Sequence, residues 1–402
     1  MSIKLKGSTD GSVTLQAPAD TSPTGTDKTF TLPTQDGGAG QILKTDGSGA
    51  LSFTDNLASG RNLIINGDMR VAQRGTSFTG ITGGNFKFIT DRFNLYASFG
   101  TFSGAQSSTA PSGFSNSIKV DCTATDTPAA GEETFLQNVI EAQDLQQLRY
   151  GESSAKSITL SFYVRSNKTG SYGLWFFAQD GNRQYVTTYT ISSADTWEYK
   201  TITVPGDASG TINDDAGGGM HIRWYLGAGT NYSGTPAETW QAVGDNRTTT
   251  LNLADSTSNE WYITGVQLEV GNTATSFEHR SFGDELTRCQ RYYEHSNNHD
   301  DPNWKTLSWN YADGVLVMAN SGGYSDFHPT FKVVKRANPD VTIYSATGVA
   351  GNAAWEQPGV TNETNYTGNQ AVSAITTRRC LVRGTPGTNR YLFCNWEANA
   401  EL

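Results

Sequence analysis

The sequence has few charged residues and few cysteines, and it lacks long apolar runs. Charged residues make up 17% of the 402 residues, the net charge is −10, and no cluster of Lys and Arg occurs. Nucleic-acid binding needs clustered cations, so we expect no nucleic-acid partner. No run of about eighteen apolar residues is present, and residues 1–20 lack the apolar block of a signal peptide. We therefore expect that the chain does not insert into a membrane. We also expect that it is made in the host cytoplasm.

The four cysteines are too sparse to form a disulfide framework. Cys380 and Cys394 are spaced so that they could face each other across a hairpin. Disulfides are rare in chains made in a reducing cytosol, which favours free thiols. We expect four half-buried thiols, with a bridge between Cys380 and Cys394 as the alternative.

Glycine and aromatic residues are abundant, with 43 Gly, 17 Tyr and 18 Phe. Together with many Ser, Thr and Asn residues, this composition is typical of strands joined by turns. The sequence therefore predicts an all-β fold. Its length suggests two or three domains, and local patterns place their boundaries at 1–60, 61–280 and 281–402.

Residues 1–60 contain no Trp, Tyr, Cys or Arg. Their large apolar residues alternate in pairs, which predicts short strands with one buried face. These pairs are Ile3 with Leu5, Val13 with Leu15, Phe30 with Leu32, and Leu51 with Phe53. About a dozen such side chains cannot offset the ordering entropy of the segment. We expect either disorder or, as the alternation favours, strands that pack against copies of themselves or against a partner. A homotrimeric stalk would suit this arrangement, although the sequence does not fix the number three.

Residues 61–280 predict one β-sandwich, because strand-like runs alternate with Gly-rich turns. The predicted strands are 116–122, 157–165, 172–178, 197–204, 220–226 and 261–270. Trp175, Trp197 and Trp261 fall in these strands and are expected in the core. The run 135–148 fits helical spacing better than strand spacing.

Residues 281–402 predict a small, separate β domain that a short helix joins to the sandwich. Ser281 before Asp284 and Glu285 resembles a capping box, and apolar residues follow at helical spacing. The predicted strands after this helix are 314–319, 330–334, 341–344 and 391–396.

Signals for catalysis or metal binding are weak. No nucleophile elbow, phosphate-binding loop or paired-Cys zinc pattern occurs. The adjacent carboxylates Glu132 and Glu133 are interpreted as hydrated turn residues. His295 and His299 would share a helical face as metal ligands do, but their neighbours favour a polar loop. We expect no enzyme activity, no metal and no cofactor.

Aromatic residues among polar neighbours are the candidates for glycan binding. A sugar ring stacks its apolar face on an aromatic ring, and loops on rigid β scaffolds often carry recognition. Trp304, Trp309 and Tyr311 lie close together among Asn and Asp, and Trp355 lies in a Gly- and Asn-rich segment. The alternative for Trp304 and Trp309 is a place in the core of the small domain.

Several motifs together resemble tail-fibre and other virion proteins of tailed bacteriophages, especially marine ones. They occur at 31–53, 62–74, 91–93, 265–278, 286–294 and 335–344, and span nearly the whole chain in order. The resemblance implies a short tail fibre located in the virion tail. Residues 1–60 would then bind other tail proteins, and the C-terminal domain would bind host-surface polysaccharide.

The middle region also resembles the jelly-roll carbohydrate-binding modules of glycoside hydrolases. The matching residues are 62–68, 157–165, 197–204 and 261–271. This resemblance implies a two-sheet jelly roll whose first and last strands lie close together. It also implies a structural calcium near Asp68 and Glu269, but Thr264 and Gly265 replace the usual acidic pair, which argues against that site.

Three functional hypotheses follow. The first is a homotrimeric tail fibre that binds a host glycan. The second is a fibre adaptor or other architectural virion protein without a receptor role. The third is a carbohydrate-binding module of a secreted glycan-degrading system, which the lack of a predicted signal peptide and catalytic domain disfavours.

Overall fold

The computed structural model describes residues 2–6, 12–16, 29–34, 41–55, 60–245, 247–301, 303–306, 317–318, 321, 323, 325–345, 347–356, 364–366, 370–386 and 390–402. The chain divides into two compact units, Met1–Ser59 and Gly60–Leu402. Nearly all regular structure is antiparallel sheet, which confirms the predicted all-β class. None of the helices in the described residues is long and apolar enough to cross a membrane.

The N-terminal unit contains two hairpins. Their strands are β1 Ser2–Lys6, β2 Ser12–Gln16, β3 Gln41–Thr45 and β4 Leu51–Asp55. Ile3 lies opposite Leu15, and Leu5 lies opposite Val13. The apolar pair predicted in β1 is therefore the cross-strand neighbour of the pair predicted in β2. The prediction for Phe30 and Leu32 is wrong, because they flank a single bridge between Thr31 and Ala50.

The second unit begins with a β-sandwich of thirteen strands in two sheets. The strands are β5 Ser77–Ile81, β6 Asn85–Thr90, β7 Phe93–Ala97, β8 Thr101–Ser107, β9 Ser117–Ala124, β10 Glu133–Glu141, β11 Ile158–Ser166, β12 Gly170–Ala178, β13 Arg183–Ile191, β14 Glu198–Val204, β15 Gly218–Ala228, β16 Gln241–Ala242 and β17 Glu260–Val270. One sheet has the order β16-β13-β12-β15-β10-β7-β6, and the other has the order β14-β11-β17-β9-β8-β5. The two sheets form the jelly-roll sandwich that the sequence predicts.

Alternation along the strands builds the core between the two sheets. Ile158, Leu160, Phe162 and Val164 of β11 are fully buried, as predicted. The entering segment lies beside β17, where the Leu63 amide donates to the Leu268 carbonyl over 2.9 Å and the Val266 amide donates to the Gly67 carbonyl over 2.9 Å. The first and last parts of the sandwich are therefore neighbours, as the jelly-roll resemblance implies.

Two expectations for the sandwich are wrong. The run 135–148 is not one helix, because residues up to Glu141 complete β10 and only Ala142–Leu148 form a 3-10 helix. Pairing of β10 with both β7 and β15 outweighs the weak helical spacing. Trp197 lies just before β14, half-buried against Tyr262, whereas Trp261 is fully buried as predicted.

The C-terminal part contains one α-helix and ten short strands among the described residues. They are α1 Phe282–Gln290, β18 Tyr293–His295, β19 Val317–Met318, β20 Ser325–Phe327, β21 Asp340–Tyr344, β22 Ala353–Glu356, β23 Thr364–Tyr366, β24 Gln370–Ser373, β25 Leu381–Gly384, β26 Tyr391–Phe393 and β27 Asn395–Asn399. The predicted strand at 330–334 is wrong, because only Thr330 forms a bridge, to Arg379. Parts of the predicted strand 314–319 lie outside the described residues.

The C-terminal part has its own core around Phe327, Ile343 and Leu392, yet it belongs to the same compact unit as the sandwich. The predicted boundary at residue 280 therefore falls inside one compact unit. Cys380 and Cys394 lie in this second core as free thiols, and Cys122 and Cys289 are also free and buried.

Candidate functional site

The structure describes two of the four aromatic residues that the sequence nominates for glycan binding. Trp304 is only 3% exposed, and its ring stacks on that of His295 at 4.5 Å and 7°. A buried ring cannot stack on a surface sugar, so Trp304 is a core residue and its nomination is wrong. Trp309 and Tyr311 lie outside the described residues, and only the backbone of Trp355, in β22, is described.

The residues considered for metal binding are packed against other protein groups. His295 is buried in β18, whereas the ring of His299 contacts that of Phe282 at 5.1 Å. Asp68 pairs with Arg70, and Glu269 pairs with Arg61 at 3.2 Å while accepting the Thr275 amide at 2.9 Å. Among the described residues, no three His, Cys, Asp or Glu side chains converge in a way that could hold a metal ion.

A different surface brings aromatic and polar side chains together, on the outer side of the seven-stranded sheet. In β15 the residues Ile222, Trp224 and Leu226 point into the core, so Arg223 and Tyr225 between them point outward. We call this surface the aromatic face. Its residues are Phe86, Tyr96, Glu133, Phe135, Gln137, Trp175, Phe177, His221, Arg223 and Tyr225.

One row of four aromatic rings crosses the aromatic face. Phe86, Tyr96, Phe135 and Tyr225 are direct cross-strand neighbours on β6, β7, β10 and β15. Successive ring centroids are 4.9, 5.0 and 5.4 Å apart, and the rings of Tyr96 and Phe135 are stacked. Cross-strand aromatic pairs stabilise a sheet and hold each other's rotamers. Phe86 is 52% exposed and Tyr96 half-buried, so this end of the row is open to solvent. Phe135, Tyr225 and the neighbouring Trp175 are at most 3% exposed, so they support the open end and do not themselves offer a free ring surface.

Cations and hydrogen-bonding groups lie beside these rings. The Arg223 guanidinium is 4.0 Å from the ring centroid of Phe135 and 4.6 Å from that of Trp175. Its Nε donates to Gln137 Oε1 over 2.7 Å, and Nη1 is 3.6 Å from Glu133 Oε1. Glu133 also accepts the Tyr225 hydroxyl over 2.9 Å. Glu133 is therefore a strand residue that fixes the cation, and the interpretation as a hydrated turn residue is wrong.

His221 stands next to Arg223 on the same side of β15. Its Nε2 is 2.6 Å from Gln179 Oε1, and its ring lies 5.5 Å from that of Phe177. Burial, and to a smaller extent the positive charge of Arg223, lower the pKa of His221 to about 3. His221 is therefore neutral near pH 7, and its two ring nitrogens face the side-chain oxygens of Gln179 and Gln137.

The loop 229–248 covers one side of the aromatic face. Arg247 lies 5.5 Å from the ring of Trp175 and 4.5 Å from that of Tyr232, and it is 3.6 Å from Glu133 Oε2. Thr248 packs on Gly173, where an added Cβ would meet the Thr248 hydroxyl oxygen at 2.1 Å. Any side chain at position 173 would therefore displace this loop.

The aromatic face combines ring surfaces with a cation, a carboxylate, amides and a neutral histidine. A pyranose has an apolar CH face and a rim of hydroxyls, so it needs ring surfaces and polar partners side by side. Binding sites are commonly apolar surfaces with a few convergent polar groups. The sequence contains one signal for this surface. In 172–178 and 220–226 aromatic residues point to both faces of the sheet, as the adjacent Phe176 and Phe177 show. A strand with one face in water would instead alternate apolar and polar residues.

No protein-family model matches the sequence, and no curated protein sequence matches it.

Solved structures with a similar backbone cover about half of the chain. One is the enzymatically active domain of tailspike protein 4 of bacteriophage CBA120, at 10% identity and a TM-score of 0.27, covering 54% of this chain and 22% of that one. Another is the family 11 carbohydrate-binding module of a cellulosomal cellulase of Clostridium thermocellum, at 14% identity and a TM-score of 0.26, covering 48% and 97%. A third is the C-terminal family 22 carbohydrate-binding module of Clostridium thermocellum Xyn10B, at 10% identity and a TM-score of 0.26, covering 50% and 98%.

Proposed function

We propose that this chain is a non-enzymatic component of a phage tail, a short fibre that binds host-surface glycan on the aromatic face of its sandwich. The observation that carries glycan binding is the open pair of rings, Phe86 and Tyr96, which continues through Phe135 to the cation of Arg223. Rings for the apolar face of a sugar and donors for its hydroxyls lie within one surface. The proposed place in a phage tail rests on the sequence motifs that resemble tail-fibre proteins and occur in the same order along the chain.

The proposed polar contacts are fixed before a ligand arrives. Glu133 and Gln137 hold Arg223, so its position does not have to be ordered on binding. Preorganised groups lose less conformational entropy when a ligand binds. The tyrosine and phenylalanine rings also have few rotatable bonds. A shallow site of this kind gives weak affinity per chain, which repeated copies in an oligomer would raise through avidity.

A glycan array followed by titration of its best neutral oligosaccharide tests the binding site. The double variant Phe86→Ala/Arg223→Gln should weaken binding about tenfold or more, because it removes an exposed ring and a charged donor. The matched control is Tyr199→Ala/Arg165→Gln on the other sheet. Tyr199 is 47% exposed, and the Arg165 guanidinium also lies over a ring, that of Tyr262 at 5.0 Å.

The control should bind like the unmodified protein. Equal losses in both variants would reject the aromatic face as the site. An array and whole host cells that both fail to bind the protein would favour the architectural alternative, an adaptor without a receptor role.

We further propose that the N-terminal unit joins copies of the chain to each other and to the tail. Its described residues expose several large apolar side chains to solvent. These are Phe30, Leu32, Ile42, Leu43 and Phe53, each between 40% and 71% exposed. Exposed apolar side chains close together are typical of association surfaces. Light scattering should show an oligomer, with a trimer expected, and a monomer of 43.4 kDa would reject this proposal.

A further inference from the structure

A cavity of about 640 Å³ opens in the C-terminal part between residues 330–334 and 376–379. This volume lies within the range of roughly 300–1,000 Å³ that small-ligand sites have. Its described wall combines three cations, three threonines and two apolar side chains. It shares no residue with the aromatic face.

Backbone hydrogen bonds hold the two sides of this cavity together. The Phe331 amide donates to the Arg378 carbonyl over 2.9 Å, and the Lys335 amide donates to the Thr377 carbonyl over 2.8 Å. The Thr376 hydroxyl accepts the amides of Arg378 and Arg379, which fixes the turn that carries both arginines. The cavity is therefore part of the folded structure.

The charges on the wall of the cavity have one sign. Lys332, Arg378 and Arg379 line it, and no carboxylate is among its described lining residues. The guanidinium groups of Arg378 and Arg379 have no hydrogen bond or ion pair with any described residue, and both residues are exposed. Like charges held together without counterions attract an anion, even in a protein with a net charge of −10.

The neighbouring carboxylate does not neutralise these cations. Glu294 is fully buried and pairs with the equally buried Lys335 at 3.1 Å, and it also accepts the Lys332 amide over 2.9 Å. Its charge is thus compensated inside the protein. The Lys332 ammonium donates to the Asn297 carbonyl over 3.2 Å, which is a neutral partner that leaves its charge unpaired.

We propose that this cavity binds an acidic saccharide unit, with Arg378 and Arg379 holding its carboxylate or sulfate group. Guanidinium groups bind such anions through short, charge-assisted hydrogen bonds, often in pairs. The hydroxyls of Thr330 and Thr377 suit the sugar hydroxyls. Phe331 and Val334 supply apolar surface for the ring, and Val334 is 39% exposed.

Titration with defined saccharides tests this site in the full-length protein. The probes are a galacturonic acid trimer, its fully methyl-esterified and therefore neutral counterpart, a sulfated galactose disaccharide, and inorganic sulfate. The acidic trimer or the sulfated disaccharide should bind at least about tenfold more tightly than the neutral ester. The variant Arg378→Gln/Arg379→Gln should lose this preference, because charge-assisted hydrogen bonds to two cations are removed.

The control Arg149→Gln/Arg288→Gln removes the same charge at exposed positions elsewhere and should bind like the unmodified protein. Failure of both acidic saccharides to bind, equal binding of acid and ester, or unchanged binding in the Arg378→Gln/Arg379→Gln variant would overturn the proposal. Inorganic sulfate that binds as tightly as the saccharides would also overturn it, in favour of a simple anion site. The variant Phe86→Ala/Arg223→Gln should keep the acidic binding, so the two proposed sites can fail separately.

Discussion

Arginine side chains stacked on aromatic rings recur at the residue scale. Arg74 lies 3.6 Å from the ring centroid of Tyr293, Arg92 lies 3.5 Å from that of Tyr292, and Arg223 lies 4.0 Å from that of Phe135. A guanidinium is planar and weakly hydrated, so it can pack on a ring while its N–H groups reach acceptors at the edge. In this protein arginine therefore extends an apolar surface and supplies its polar groups at once.

His221 gives a prediction that depends on pH. Its pKa is about 3 in the folded protein and about 6.5 when unfolded, so between these values the unfolded chain binds the extra proton. Stability should therefore fall as the pH drops below about 6.5. His221 should contribute roughly 2 kcal/mol to the loss between about pH 7.5 and pH 5. In urea unfolding, the His221→Gln variant should lose less stability over this pH interval than the unmodified protein, by that amount. Equal losses of stability in the two proteins would contradict the prediction.

Among the elements, α1 shows how a short helix is fixed in a β protein. The Ser281 hydroxyl accepts the Asp284 amide over 3.2 Å and donates to Asp284 Oδ2 over 2.7 Å. At the start of the helix Glu285 is buried, accepts the Asn66 amide and lies 3.4 Å from Arg280. The cap sets where the helix begins, and Glu285 joins that end to the entry of the sandwich.

Removing the helix cap should be measurable. Ser281→Ala should lower the free energy of unfolding by about 1 kcal/mol, because the Asp284 amide loses its acceptor at the helix end. Ser281→Thr keeps a hydroxyl and should restore most of the loss. Urea unfolding measures both, and a Thr variant as destabilised as the Ala variant would show that the cap is not the cause.

At the scale of the whole second unit, buried ion pairs join the C-terminal part to the sandwich. Arg92 pairs with Glu401 and donates to the Val139 carbonyl over 2.5 Å, while Arg291 donates to Glu141 over 2.7 and 2.8 Å. Glu141 is fully buried and Arg92 is 3% exposed. Removing one partner of such a pair leaves an unpaired buried charge, which lowers the free energy of unfolding by about 3–5 kcal/mol.

Truncation at the predicted boundary should therefore destabilise the sandwich. Residues 60–280 alone lack the partners of Arg92 and Glu141, and they expose the surface under Tyr292. We expect a lower urea midpoint and aggregation on light scattering, compared with residues 60–402. A fragment 60–280 as stable and as soluble as 60–402 would support the separate domain that the sequence predicts.

Local patterns in the sequence determined much of the strand content and the start of the helix. The alternation from Ile158 to Val164 and the Ser281 cap depend on neighbours within a few residues, which a sequence displays directly. Short runs do not show their pairing partners in the sequence. Among the described residues, 330–334 pair only through the bridge between Thr330 and Arg379 despite their strand composition. Residues 135–141 pair with a strand on each side despite helical spacing.

Tertiary structure alone decided the sites. Phe176 and Phe177 are equally apolar, and only sheet pairing puts one in the core and the other on the aromatic face. The ring row from Phe86 to Tyr225 and the pair Arg92–Glu401 join residues far apart in sequence, 309 positions for the pair. Strand pairing and packing bring such residues together, and the spacing of nearby residues does not show which distant strands become neighbours. The sequence by itself therefore determined the all-β class, while the fold decided which aromatics and arginines come together in the two proposed binding surfaces.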